Sequence, residues 1–145
     1  MVPDEGLLDA WPGVRVDADN AAYYAGLLEH RLLVNRCRDC GAWHHPPRSI
    51  CPRCWSTAVA ATEVTGRGRV ALFTVLRQGP SRGGADYAAG HPLVAVELEE
   101  QIGLRVSGTV VDVPPGAITE AMAVELTWPD GEGAPDVLRF RAAGR

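Results

Sequence analysis

Two closely spaced cysteine pairs constrain this chain more than any other feature. Cys37-Arg38-Asp39-Cys40 is followed, after ten intervening residues, by Cys51-Pro52-Arg53-Cys54. Each C-x-x-C pair can grip one side of a tetrahedral ion, and four soft thiolates at this spacing point to zinc. Gly41 suits the turn that aims backbone amides at the sulfurs, and Pro52 stiffens the second turn. Trp55 stands where a second glycine is common, so the second knuckle is expected to be less regular. Four thiolates leave no open coordination position, which makes the site structural rather than catalytic. A rubredoxin-like iron centre would accept the same ligands. Exchange of a cysteine ligand for His44 or His45 is a weaker alternative, and disulfides are disfavoured in a reducing compartment. A ribbon spanning 32–62 has little apolar core, so metal binding and local folding are expected to be one event.

The rest of the chain sets the scale. At 145 residues and 46% apolar content, one modest core or a small domain with an appendage is expected. No apolar run approaches the roughly 20 residues of a membrane span. Met1 to Gly13 carries Asp4, Glu5 and Asp9 without the apolar stretch of a secretory signal, so a cytoplasmic protein is expected. All 14 basic residues are arginine, a bias that lowers the functional weight of any one of them. Nine of the 14 fall within 31–82, beside only Asp39 and Glu63, although the whole chain is acidic at −4. Such a basic stretch suits an anionic ligand or an acidic partner; a solvated arginine face is the competing reading.

Residues 1–19 read as an irregular lead-in. Asp19 or Asn20 can cap a helix running to about Arg31, so that 1–31 forms lead-in and helix. Tyr23, Leu27 and His30 share one face of it, with Tyr24 and Leu28 beside them, and that stripe must dock on the ribbon or on a partner. From 63 to 145 the chain turns to short apolar runs. Val70–Leu76, Leu93–Leu98, Ile102–Val111, Met122–Trp128 and Val137–Arg141 read as strands, and five of them suit a small antiparallel barrel. Gly79–Gly90 reads as the longest flexible loop.

The order of these pieces carries a resemblance. A helix with paired aromatics leads into Leu32-Leu33-Val34-Asn35-Arg36-Cys37-Arg38-Asp39-Cys40-Gly41. His45-Pro46-Pro47-Arg48-Ser49-Ile50-Cys51-Pro52-Arg53-Cys54 follows, then Gly66-Arg67-Gly68-Arg69-Val70 and Pro92-Leu93-Val94-Ala95-Val96-Glu97-Leu98. Over residues 20–142 this resembles the acyl-CoA-associated zinc-ribbon plus OB-fold family, domain of unknown function thirty-five. The resemblance implies a mainly β chain: an N-terminal helix, a rubredoxin-like ribbon and a five-stranded OB-fold barrel. It also implies a non-catalytic partner of a thiolase-fold enzyme, such as a thiolase, a lipid-transfer-protein-type aldolase that shortens steroid side chains, or an acyltransferase. Some members work with a hotdog-fold acyl-CoA hydratase. Tyr23-Tyr24 in place of Phe-Trp, Trp55, and the longer Gly79–Gly90 loop depart from the family pattern.

The residues themselves offer no rival chemistry. The cysteines are committed, and His30, His44, His45 and His91 are scattered in sequence. If acyl-CoA is held at a shared interface, Arg77, Arg82 and Arg105 are the candidates for its phosphates. Tyr23, Tyr24 and Tyr87 are the candidate partner contacts. A nucleic-acid-binding OB module is the main alternative. It would need an aromatic stacking platform and a basic groove, whereas the pI is 5.5 and the barrel region holds only Phe73, Tyr87, Trp128 and Phe140.

Overall fold

The structure, a computed structural model, describes residues 5–80, 85–131 and 137–144. Arg82 and part of the Gly79–Gly90 loop lie outside them. The chain divides into two compact units, one holding the described residues up to Val64 and the other those from Thr65 onward.

The first unit begins with a helix that the sequence reading placed in an irregular lead-in. Helix α1 (Glu5–Ala10) is short, and Leu7 and Trp11 bury its apolar side. Two apolar anchors in a Pro- and Gly-containing stretch are too few to show a helical period. Helix α2 (Ala21–Leu28) starts at Asn20 and stops three residues earlier than the apolar stripe suggests. Its end is set by His30, whose φ of 54° leaves the helical region. Gly26 lets α2 lie close on the following strand, because a Cβ there would press into the Leu33 side chain. That strand, β1 (Leu33–Cys37), is the centre of a three-stranded antiparallel sheet between β2 (Trp43–His44) and β3 (Val59–Glu63). The stripe on α2 thus docks on the chain's own ribbon.

The second unit is a closed five-stranded barrel. Its strands are β4 (Arg67–Leu76), β5 (His91–Leu98), β6 (Arg105–Val110), β7 (Ala123–Thr127) and β8 (Leu138–Ala142). They follow the order β4-β5-β6-β8-β7, and β7 returns to β4. All pairings are antiparallel except β6 with β8. Alternation decides what faces inward: Val94, Val96 and Leu98 of β5 are buried while Leu93, Ala95 and Glu97 point out. Phe140, fully buried, is the largest side chain of this core.

The five expected strands are all present, with shifted ends. Strand β4 begins three residues before Val70, in Arg67-Gly68-Arg69, ahead of the apolar run. Strand β6 begins three residues after Ile102, because Gln101–Leu104 closes the hairpin through the Leu104 amide and the Gln101 carbonyl (3.2 Å). Two glycines permit closure. A Cβ on Gly68 would collide with the Glu97 carbonyl, and one on Gly108 with the Leu138 carbonyl at the parallel seam. Gly108→Val is therefore expected to destabilise the barrel by about 1–3 kcal/mol. Chemical denaturation of the variant beside the native protein checks it, and an unchanged midpoint would contradict this account of the seam.

Candidate metal centre

The two cysteine turns are built alike, and hydrogen bonds show it. The Cys37 amide donates to the Ala42 carbonyl (2.8 Å) and the Gly41 amide to the Cys37 carbonyl (2.9 Å). The second turn repeats this: Cys51 amide to Ser56 carbonyl and Trp55 amide to Cys51 carbonyl, both 2.9 Å. The two turns are further joined by Ser56, whose hydroxyl donates to the Asp39 carboxylate. Gly41 and Trp55 therefore occupy the same place, and both take the left-handed conformation, with φ of 77° and 65°. Glycine adopts it freely, whereas a residue with a Cβ gives up about 1–2 kcal/mol.

The sulfurs converge. All four Sγ atoms lie within 4.8 Å of one another. Cys37 and Cys54 approach to 3.6 Å, and Cys40 and Cys51 to 3.7 Å. An ion bound at about 2.3 Å by each sulfur sets tetrahedral edges of about 3.8 Å, so the donor set fits zinc. The backbone favours thiolates here. The Cys40 amide, followed by that of Asp39, brings the Cys37 thiol down to about 6 against its burial. The Cys54 amide, followed by that of Arg53, lowers Cys51 in the same way. Cys54 goes the other way, up to about 12: the Ser56 amide favours its thiolate, but burial and three neighbouring sulfurs oppose one more negative charge. An ion of charge +2 is the natural relief for such crowding.

Around the centre the first unit is tightly tied. Cys37, Ala42 and Cys51 form a small buried cluster with Val59 packed on it. The buried Asn35 amide donates to the Arg48 carbonyl (2.9 Å) and lies 3.3 Å from His44 Nε2, pinning the segment that enters the second knuckle. The sequence marks this clamp only as polar residues in a strand and a loop. Tyr23 and Tyr24, candidate partner contacts, are half-buried in a chain of rings. Trp11 lies 4.9 Å from Tyr24, Tyr24 5.1 Å from Tyr23, and Tyr23 5.2 Å from His45. Burial, followed by the charge of Tyr24, pushes the Tyr23 hydroxyl up to about 12. Burial and then His44 hold His45 below the usual histidine value.

In the barrel the two described candidate arginines, Arg77 and Arg105, do not converge. Arg77 sits just past the end of β4, beside the start of β5, and donates to the Ala89 carbonyl (3.3 Å). Arg105 pairs with Glu97 near the other end of β5, 3.9 Å away. Six residues of strand separate the two ends, about 20 Å. Tyr87 lies two residues before Ala89: its ring is 5.9 Å from His91, and its hydroxyl donates to the Pro80 carbonyl (3.0 Å). Among the described residues no helix is long and apolar enough to cross a membrane.

These features define a class: a four-cysteine, rubredoxin-like ribbon followed in the chain by an OB-fold barrel. Family models match both parts, the ChsH2 rubredoxin-like zinc ribbon domain over 25–60 and the ChsH2 C-terminal OB-fold domain over 61–129. A DUF35 domain-containing scaffold protein of Pyrococcus furiosus is 37% identical over 98 residues, 68% of either chain. The protein belongs to this DUF35, or ChsH2-type, zinc-ribbon and OB-fold family. A 3-oxo-4,17-pregnadiene-20-carboxyl-CoA hydratase alpha subunit of Mycobacterium tuberculosis is 30% identical over 89% of this chain. The chain spans only 40% of that relative's length, and 40% of a related alpha subunit from Thermomonospora curvata. A solved structure described as an Ltp2-ChsH2(DUF35) aldolase contains a chain 29% identical, with a TM-score of 0.75 over 92% of this chain and 100% of that one.

Two measurements test this site. The native protein is expected to carry one metal ion per chain by elemental mass spectrometry, and Cys40→Ser to fall well below one; full occupancy in the variant would remove Cys40 from the ligand set. Trp55→Gly is expected to stabilise the metal-loaded ribbon by about 1 kcal/mol, since only the left-handed backbone cost is relieved. Thermal unfolding reads it, and a lowered midpoint would mean that Trp55 packs inside the unit.

Proposed function

We propose that this chain is a non-catalytic, zinc-binding accessory subunit of an acyl-CoA-handling complex, seated on a thiolase-fold enzyme. The observation that carries the reading is the likeness to the whole of a chain in an Ltp2-ChsH2(DUF35) aldolase at 29% identity. Relatives named scaffold proteins and CoA-thioester hydratase subunits support the same setting, with a hotdog-fold hydratase as a further partner. Zinc is the ion we assign to Cys37, Cys40, Cys51 and Cys54, in a structural role. Its four thiolates occupy every position at which a substrate could bind.

The division of labour follows from chemistry. The reacting groups belong to the enzyme, and this chain supplies shape and charge at the mouth of the CoA or acyl passage. For a phosphate contact Arg77 is the better of the described candidates: it donates to the Ala89 carbonyl in the loop that carries Tyr87, whereas Arg105 is already paired with Glu97. The nucleic-acid reading is disfavoured by the barrel's aromatics. Phe140 is buried in the core and Phe73 is half-buried opposite Val94, which leaves no row of exposed rings for stacking bases among the described residues.

A tagged chain recovered from its native host tests this reading. A thiolase-fold enzyme is expected at near-unit ratio by mass spectrometry, and the purified chain alone is expected to turn over no acyl-CoA. Recovery of the chain alone, or with nucleic acid attached, would overturn the proposal.

A further inference from the structure

We infer that the second cysteine knuckle is a docking tip: Trp55 enters an apolar recess on the partner enzyme, and Arg48 and Arg53 meet acidic groups around that recess. This deepens the accessory-subunit reading and rests on it. The starting point is the repeat within the metal centre. Knuckle geometry demands a left-handed residue at two equivalent places, and glycine, the residue suited to both, fills only the first. The second holds the largest side chain available. Trp55 is 81% exposed, so packing within the chain does not compensate for the backbone it must adopt.

The neighbourhood of Trp55 has the composition of an interface. Ile50, one residue before the knuckle, is a second apolar side chain held out, 50% exposed. Arg48 and Arg53 are exposed on the same stretch of chain, and Arg38 is exposed on the first knuckle. Among the described residues no acid lies within ion-pair distance of any of these three arginines. The nearest acid in sequence, Asp39, accepts the Ser56 hydroxyl. A large aromatic, a branched aliphatic and unpaired arginines form the kind of cluster that anchors protein interfaces, and the charge selects an acidic surface.

A protein fits this tip better than a nucleic acid does. Single strands are held by successive aromatic platforms. Here the other described rings of the unit are engaged internally: Trp11, Tyr23 and Tyr24 with one another and His45, and Trp43 beneath the Arg36 guanidinium at 5.0 Å. Trp55 is engaged in no such ring contact among the described residues.

The test uses the full chain and the thiolase-fold enzyme recovered with it, titrated by calorimetry. Trp55→Gly and Trp55→Asn both tolerate the left-handed backbone, and each is expected to keep its metal. Both should weaken binding by tenfold or more. Arg53→Glu should weaken it further at low salt than at high salt. Native-like affinity in both Trp55 variants, with the native complex intact, would overturn the docking tip and leave the accessory reading standing. Failure of the native chain to bind the enzyme would remove that reading and this one with it. Trp55-dependent binding of a single-stranded oligonucleotide, in place of the enzyme, would likewise overturn the inference.

Discussion

Convergence of four sulfurs on one point is the constraint on which the first unit depends. Its apolar cluster around the centre is small: Cys37, Ala42 and Cys51, with Val59 packed against them. Burial on that scale cannot offset the ordering of some thirty residues, each of which gives up about 1–2 kcal/mol of backbone entropy. A cross-link through a metal ion closes both turns at once and supplies the missing free energy. Even the polar interior serves this closure. Asn35 and His44 gather on the Arg48 carbonyl and so deliver Cys51 to the centre from the correct side. Helix α2 and its rings then cover the sheet that carries the first knuckle.

The barrel solves a different problem. It has ordinary apolar alternation and no need of a metal, but it must bring β6 beside β8 in parallel and β7 back to β4. Glycines at 68 and 108 clear the backbone where strands meet, and Phe140 fills the interior. Closure leaves no edge strand of the barrel open to pairing, so its outer wall presents side chains and not free backbone groups. On the outer wall Arg67 pairs with Glu99 (3.1 Å) and Arg141 with Glu125 (2.8 Å), while Arg69 and Arg77 donate to the Ala121 and Ala89 carbonyls.

The metal centre and most of the fold were legible in the sequence because their signals are local. Two C-x-x-C pairs specify a tetrahedral site wherever the chain places them, and period-two apolar runs such as Val94, Val96 and Leu98 announce strands without reference to neighbours. Strand ends were less legible. Arg67-Gly68-Arg69 lacks an apolar run but pairs as strand, because β5 and β7 supply partners that no short window contains. Helix α1 was hidden for a related reason: Leu7 and Trp11 acquire their meaning only when Tyr24, thirteen residues beyond Trp11, packs on the latter.

Candidate site residues divide along the same line. Composition alone could pool Arg77 and Arg105, yet the register of β5 sets them at opposite ends of one strand. Tyr23 and Tyr24 look like free anchors on a helix, yet ring contacts with Trp11 and His45 claim much of their surface. Trp55 reverses the case, since in sequence it is only an irregular knuckle residue. The sequence by itself determined the candidate ligand set, the ribbon-then-barrel order and the family, because ligand spacing and alternation are properties of adjacent residues. Only the tertiary structure decided which aromatics are spent inside and which arginine stands beside which loop. It also showed that a tryptophan stands exposed where glycine would be at ease. Burial, pairing and exposure depend on residues far apart in the chain, and only the folded backbone brings those together.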